Sequence, residues 1–151
     1  MTPIEQATID ELAIRTLVAR YADAVMRRDC DAVRATWSHD GAWDLGFARA
    51  AGADEIVALW ERLMAKCDLV LQTVHSGTVV VERERGRGRW YFTELNRDHD
   101  GNGIMMAAVY DDVYTKLDGE WRFSSRRFDV RYRGPAVLTG SGDAVVQREG
   151  V

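Results

Sequence analysis

The sequence predicts an α+β fold in which helices of the N-terminal half pack on one face of a curved, mainly antiparallel sheet. Apolar residues recur at helical spacing in the first half of the chain, and four long strand candidates follow in the second half. The pair Asp118-Gly119 joins the last two candidates and is a strong hairpin signal, because both central residues of a type I′ turn need positive φ. Helices followed by an antiparallel meander are typical of the α+β class.

The first helix is predicted over residues 7–29, where an apolar stripe marks one face. The stripe consists of Ile9, Leu12, Ala13, Leu17, Tyr21, Ala24 and Val25. Tyr21 belongs to the stripe, so its ring is expected to point toward the core. Three further elements are predicted in this half: a short helix over Cys30–Trp37 capped by Asp29, a strand over Ala42–Phe47, and a helix over Glu55–Lys66 capped by Asp54.

Four strands are predicted in the second half from runs that are rich in β-branched and aromatic residues. They span Leu69–Glu84, Arg87–Arg97, Gly103–Leu117 and Glu120–Tyr132. The first two are expected to be joined at Arg85-Gly86. Residues 1–133 would then form a single domain. Residues 134–151 are Gly-rich and lack periodicity, which predicts a tail that is mobile or laid over the surface.

The composition excludes several classes of protein. A hydrophobic fraction of 46% in 151 residues is too high for a disordered chain, and a net charge of −4 provides no field to attract nucleic acid. There is no apolar run of about 18 residues and no secretory signal pattern, so we expect a cytoplasmic protein without a membrane segment. Asp98–Gly103 resembles the start of a calcium loop, but the twelfth position of such a loop would be Val109, where a glutamate is required. No metal site is therefore predicted.

Two polar side chains fall on strand faces that are otherwise apolar. Period-two alternation places His75 with Gly77, Val79 and Val81, and it places Glu94 with Gly88, Trp90 and Phe92. A carboxylate beside an imidazole holds one tautomer and favours the protonated ring, so His75 would move a substrate proton with the help of Glu94. In the alternative interpretation, His75 binds a backbone carbonyl and Glu94 points outward after a bulge.

Other residues are expected to complete a pocket. Tyr21 would donate its hydroxyl to a substrate oxygen that gains charge during the reaction. Arg126 would close the pocket and bind an anionic or carbonyl group, although an arginine on an exposed strand is commoner. Apolar walls are expected from Trp43, Phe47, Trp60, Phe92, Tyr110 and Phe128.

Three stretches of the chain resemble the SnoaL-like, or nuclear transport factor 2-like, superfamily. They are Leu17–Asp29, Trp37–Trp43 and Ala107–Phe123, and the resemblance covers about residues 7–133. It implies a cone-shaped α+β barrel built around one pocket. The superfamily includes scytalone dehydratase, a bile-acid dehydratase, a dehydrochlorinase, ketosteroid isomerase and polyketide cyclases. It also includes non-catalytic β subunits of ring-hydroxylating dioxygenases, so the fold does not name the function.

The resemblance implies roles for individual residues. His75 matches the catalytic base of the dehydratases and the dehydrochlorinase, and Tyr21 matches a helix tyrosine that hydrogen-bonds a substrate oxygen. Glu94 falls where the bile-acid dehydratase has an active-site aspartate, and Arg126 falls where the dehydrochlorinase has a pocket arginine. One position departs from the family: Met26, expected to line the pocket, replaces the aspartate that pairs with the histidine. Either Glu94 partners His75 instead, or the site is degraded.

These observations favour a cofactor-independent lyase or isomerase of dehydratase type. The expected substrate is a hydrophobic, oxygenated small molecule such as a steroid, a polyketide or an aromatic compound, and no cofactor or metal is expected. Two alternatives stay open: a binding protein that holds a ligand without converting it, and an assembly subunit similar to a dioxygenase β subunit. The family likeness also implies a homodimer or homotrimer.

Overall fold

A computed structural model describes residues 1–142, and the predicted tail residues 143–151 lie outside the described part. Three helices and six strands make up the regular structure of this part. In chain order they are α1 (Pro3–Arg27), α2 (Cys30–Ala35), β1 (Trp37–Asp44), β2 (Arg49–Ala51), α3 (Ala53–Met64), β3 (Cys67–Glu82), β4 (Arg85–Asp98), β5 (Gly103–Leu117) and β6 (Glu120–Ala136). No helix among these residues is both long enough and apolar enough to cross a membrane.

The six strands form one sheet in the order β2-β1-β6-β5-β4-β3. Neighbouring strands are antiparallel except β1 and β6, which run parallel, so the prediction of a mainly antiparallel sheet is confirmed. The helices pack on one face of the curved sheet, as expected. The sheet does not close into a full barrel, because β2 and β3 remain as edges.

Helix α1 begins earlier than predicted because Thr2 and Glu5 form a capping box. The Thr2 hydroxyl accepts the Glu5 backbone N–H at 3.2 Å, and the Glu5 carboxylate accepts the Thr2 N–H at 2.6 Å. The buried stripe also differs from the predicted one at its N-terminal end, where Ile9 and Leu12 are 51% and 65% exposed. Asp10 takes the inward position instead, and its carboxylate accepts hydrogen bonds from Lys116 and Trp121.

The signals for turns and caps had mixed outcomes. Asp29 caps α2 as predicted, accepting the Ala32 N–H at 3.0 Å, and Asp118 and Gly119 both have positive φ, as the predicted turn requires. The prediction that Asp54 caps α3 was wrong, because α3 begins at Ala53 after Gly52 and has no side-chain cap. The turn between β3 and β4 lies at 83–84 rather than at Arg85-Gly86.

Strand β3 contains a bulge that changes which residues face the core. Val74 pairs with Phe92 and Gly77 pairs with Trp90, so β3 advances three residues while β4 advances two. Inward positions are therefore even-numbered before the bulge and odd-numbered after it: Val70, Gln72 and Val74, then Gly77, Val79 and Val81. His75 and Ser76 form the bulge itself, and both are exposed.

The start of the predicted tail lies against the sheet. Strand β6 continues to Ala136, and beyond it the carbonyls of Leu138 and Gly140 accept hydrogen bonds from Arg97 Nη1 at 2.7 and 2.6 Å. Leu138 and Gly140 therefore contact β4 through Arg97.

Candidate active site

A cavity of about 340 Å³ opens between α1, α3 and the inner face of the sheet. Its walls are mostly apolar and come from seven elements and from the β1–β2, α3–β3 and β4–β5 connections. The apolar lining residues are Val25, Trp43, Leu45, Phe47, Trp60, Leu63, Met64, Val70, Ile104, Met106 and Phe128. Trp43, Phe47, Trp60, Tyr110 and Phe128 therefore lie where the sequence analysis placed them. A cavity of this size and lining suits a hydrophobic small molecule.

A carboxylate stands in this apolar surrounding. Glu94 lines the cavity from β4, and both of its oxygens are held by side-chain amides. Gln72 Nε2 donates to Oε2 at 2.9 Å, and Asn96 Nδ2 donates to Oε1 at 2.8 Å. The donors are neutral, so they fix the direction of the carboxylate without cancelling its charge. Each oxygen keeps a lone pair for a further proton or hydrogen bond.

Two tyrosines also line the cavity, and both are buried. Tyr21 comes from α1 and Tyr110 from β5, and their rings meet edge to face at 6.4 Å. Burial is the main reason that the pKa of Tyr21 is raised to about 12; the Arg126 cation acts against this shift and the Glu94 charge adds to it. Burial likewise raises the pKa of Tyr110 well above its ordinary value. Both hydroxyls therefore stay protonated at neutral pH and act as hydrogen-bond donors.

Arg126 does not close the pocket, which corrects the prediction. Its side chain is 1% exposed and lies beneath the floor of the cavity, where its Nε donates to Asp112 Oδ1 at 2.8 Å and its Nη2 to Oδ2 at 3.2 Å. The guanidinium carbon lies 3.7, 4.2 and 4.5 Å from the ring centroids of Tyr110, Phe123 and Tyr21. Arg126 is thus a buried ion pair under aromatic rings, and it supports the two cavity tyrosines.

The ion pair continues into a hydrogen-bonded chain. Asp112 Oδ2 accepts the Tyr114 hydroxyl at 2.8 Å, and the Tyr114 oxygen accepts Trp90 Nε1 at 2.7 Å. Burial raises the pKa of Asp112, and the facing Arg126 cation opposes that rise. The network gives the buried carboxylate donors on both of its oxygens, as a buried charge requires.

His75 does not reach the cavity, although the sequence analysis placed it there as the catalytic base. The bulge turns its side chain to the outer face of the sheet, where it is exposed and where Nε2 lies 2.7 Å from Thr93 Oγ1. Glu94 projects from the inner face, so the expected pair of His75 and Glu94 does not form. Simple alternation placed His75 on the same face as Gly77, Val79 and Val81. The extra residue of the bulge lies between them, so His75 and these later residues face opposite sides of the sheet.

Two predicted lining residues lie next to the cavity rather than in its wall. Met26 packs toward β3, where its Sδ accepts the backbone N–H of Gln72 at 3.1 Å; β3 is an edge strand, so its outer backbone groups have no strand partner. A methionine sulfur is only a weak hydrogen-bond acceptor, so Met26 makes this contact without replacing the carboxylate that the family has at this position. Phe92 is buried behind Tyr110, with the two rings stacked at 4.5 Å and 9°.

Comparison with known proteins identifies the family. A model of the SnoaL-like domain matches residues 6–127. The chain belongs to the SnoaL-like domain family. A γ-hexachlorocyclohexane dehydrochlorinase of Sphingobium indicum is 27% identical over 137 residues, which cover 84% of this chain and 86% of that protein.

Solved structures of SnoaL-like proteins share the fold at lower identity. A hexachlorocyclohexane dehydrochlorinase of type 2 superposes with a TM-score of 0.80 at 21% identity, over 95% of this chain and 97% of the other. A proposed scytalone dehydratase of Novosphingobium aromaticivorans gives a TM-score of 0.78 at 15% identity, over 90% and 97%. These structures confirm the expected fold.

Sequence analysis missed Gln72 and Asn96, which hold Glu94 in the cavity, and also the polar residues of the cavity lining near its opening: Lys66, Asp98, Asn102 and Arg133. Asn96 follows Glu94 by two residues on β4, so alternation alone puts both on the same face. Gln72 is 7% exposed and faces Glu94 across the β3–β4 pair. Alternation without the bulge places Gln72 on the outer face of the sheet, so the sequence did not reveal its position. The signal for Asn96 was available in the sequence, and the signal for Gln72 required the register of the sheet.

We predict that Arg126→Leu lowers the free energy of unfolding by about 3–5 kcal/mol, because it leaves Asp112 charged and unpaired in the core. Urea denaturation followed by fluorescence measures this change. The control is Arg131→Leu on the same strand: Arg131 is exposed and paired with Asp129 at 3.4 Å, so its removal should change stability by less than about 0.5 kcal/mol. Similar losses in the two variants would contradict the structural role of Arg126.

Tyr21 should make stability depend on alkaline pH. Its pKa is about 12 in the folded protein and 10.0 ordinarily, so its contribution is complete below pH 10 and is lost as pH rises toward 12. Between about pH 9 and pH 11 the wild type should lose about 1.4 kcal/mol more stability than Tyr21→Phe. Urea denaturation at both pH values tests this difference. An equal loss of stability in the two proteins would show that the pKa of Tyr21 is not raised.

Proposed function

We propose that this chain is a cofactor-independent lyase or isomerase in which Glu94 removes a proton from carbon in a hydrophobic, oxygenated small molecule. One observation carries the proposal: a carboxylate held by two neutral amides shares an apolar cavity with two buried tyrosine hydroxyls that stay protonated. A base and hydrogen-bond donors at one apolar site are the requirements for proton abstraction next to a carbonyl group.

The proposed step balances without a cofactor. An oxygen of Glu94 takes the proton from the carbon next to a substrate carbonyl. The electron pair of the C–H bond forms a carbon–carbon double bond, and the π pair of the carbonyl moves onto the carbonyl oxygen. Tyr21 and Tyr110 donate hydrogen bonds to that oxygen as it gains charge. The proton on Glu94 then returns to another carbon, which gives isomerisation, or to a departing hydroxyl, which gives water and a new double bond.

The relatives support an elimination in particular. The names of the dehydrochlorinase and of the proposed scytalone dehydratase describe loss of hydrogen chloride and of water. These names belong to those proteins. For this chain they favour the lyase outcome over the isomerase outcome, with the acid of the cavity in the place that the sequence analysis gave to His75.

A binding protein is the second candidate. Met26 stands where the resemblance implies an acid, and His75 lies on the outer face, so the histidine–acid pair expected from the family is missing from the cavity. A ligand would then be held by the apolar walls and the tyrosines without conversion. The expected self-association, the cytoplasmic location and the alternative of an assembly subunit stay predictions.

We predict that Glu94→Gln lowers turnover by at least about a hundredfold, because the amide cannot accept the proton. The assay uses α-tetralone that carries a hydroxyl on the carbon β to the carbonyl; loss of water gives α-naphthol, which fluoresces. The matched control is His75→Ala, which should change turnover by less than about twofold, since His75 is exposed outside the cavity. Thermal melting confirms that both variants are folded.

The two candidate functions give different results in this assay. Retained turnover in Glu94→Gln would remove Glu94 as the base. Binding of the hydroxy ketone by the wild type without any α-naphthol would favour the binding protein.

A further inference from the structure

The mouth of the cavity is more basic than the rest of this acidic chain. Lys66, at the turn between α3 and β3, and Arg133, on the inner face of β6 opposite Met106, both line the cavity and are exposed at its rim. Among residues 1–142, neither side chain lies within ion-pair distance of a carboxylate. The whole chain carries a net charge of −4, whereas the rim carries these two cations, which have no ion-pair partner among the described residues 1–142, and one carboxylate, that of Asp98.

The turn that carries Lys66 is anchored on both sides. Arg28 donates to the carbonyl of Met64 at 3.0 Å and to that of Cys67 at 2.8 Å, and His99 Nε2 lies 2.8 Å from the carbonyl of Ala65. These contacts fix the backbone on either side of Lys66, so its side chain starts from a defined point at the rim.

One carboxylate shares the rim but is occupied. Asp98 Oδ1 accepts the backbone N–H groups of Asp100 and Asn102, and its Oδ2 accepts the side-chain amide of Asn102. Asp98 therefore holds its own turn together and leaves Lys66 and Arg133 available to a ligand.

We propose that the ligand of this cavity is an amphipathic molecule whose apolar body fills the cavity and whose carboxylate binds Lys66 and Arg133 at the mouth. This inference rests on the proposed function only in taking the cavity as the substrate site. The apolar depth and the basic rim are complementary to such a molecule, and an exposed rim charge adds specificity and steering more than raw affinity. A cationic ligand would meet two like charges at the entrance.

The test compares three ligands that share one apolar body and undergo no reaction: α-naphthylacetate, the neutral α-naphthylacetamide and the cationic α-naphthylmethylamine. Binding is measured by titration calorimetry at low salt. The wild type should bind the acetate roughly tenfold more tightly than the amide. Lys66→Gln and Arg133→Gln should each weaken acetate binding by roughly threefold, and the double variant should remove the preference while amide binding stays unchanged.

The matched control is Arg127→Gln, which removes an exposed arginine of the same strand outside the cavity lining and should change neither affinity. Equal binding of acetate and amide by the wild type would overturn the inference. So would tighter binding of the amine, a preference that survives in the double variant, or the absence of binding by all three ligands. The naphthyl ligands need no proton transfer, so an intact acetate preference in Glu94→Gln separates this inference from the role of Glu94 in turnover.

Discussion

The hydrogen bonds from Gln72 and Asn96 to Glu94 are the interaction on which this account depends. A carboxylate inside an apolar cavity needs donors for its oxygens, and the two amides supply one each. The same two amides also carry a cost in free energy, because their carbonyl oxygens are buried without a hydrogen-bond partner among residues 1–142. An unpartnered buried acceptor costs about 1–3 kcal/mol. The amides are therefore oriented by Glu94, and their geometry is specific to a charged side chain at that position.

The buried cation below the cavity is stabilised in a different way. Arg126 lies against three aromatic rings and pairs with Asp112, which in turn is bound by Tyr114. Two of those rings belong to Tyr21 and Tyr110, so the ion pair fixes the position of both hydroxyls in the cavity. The acid above and the cation below act oppositely on the pKa of Tyr21, while burial dominates it. The floor and the polar wall of the cavity thus depend on each other.

Local patterns in the sequence predicted most elements, although they missed β2 and placed the strand observed at Trp37–Asp44 over residues 42–47. They did not predict how one strand faces its neighbours. Hydrophobic periodicity and turn residues located the helices and the four long strands, and the inward direction of Tyr21 and Glu94 followed from them. His75 was misplaced by a single extra residue in β3, which alternation does not reveal. A reason for the bulge is visible only in the structure: a Cβ at Gly77 would lie 2.3 Å from the ring of Trp90, so the chain brings a glycine beneath that ring. Arg126 was misassigned because its partner Asp112 lies on another strand, and strand pairing is a tertiary property.

The central claim is that Glu94 is the base of this cavity, and hydrogen exchange into a simple ketone tests it without requiring the natural substrate. Unsubstituted α-tetralone is incubated with the protein in deuterium oxide, and loss of the signal of the hydrogens next to the carbonyl is followed by proton NMR. The wild type should accelerate this exchange, Glu94→Gln should be slower by at least about a hundredfold, and His75→Ala should match the wild type. Exchange that persists in Glu94→Gln, or that disappears in His75→Ala, would contradict the account.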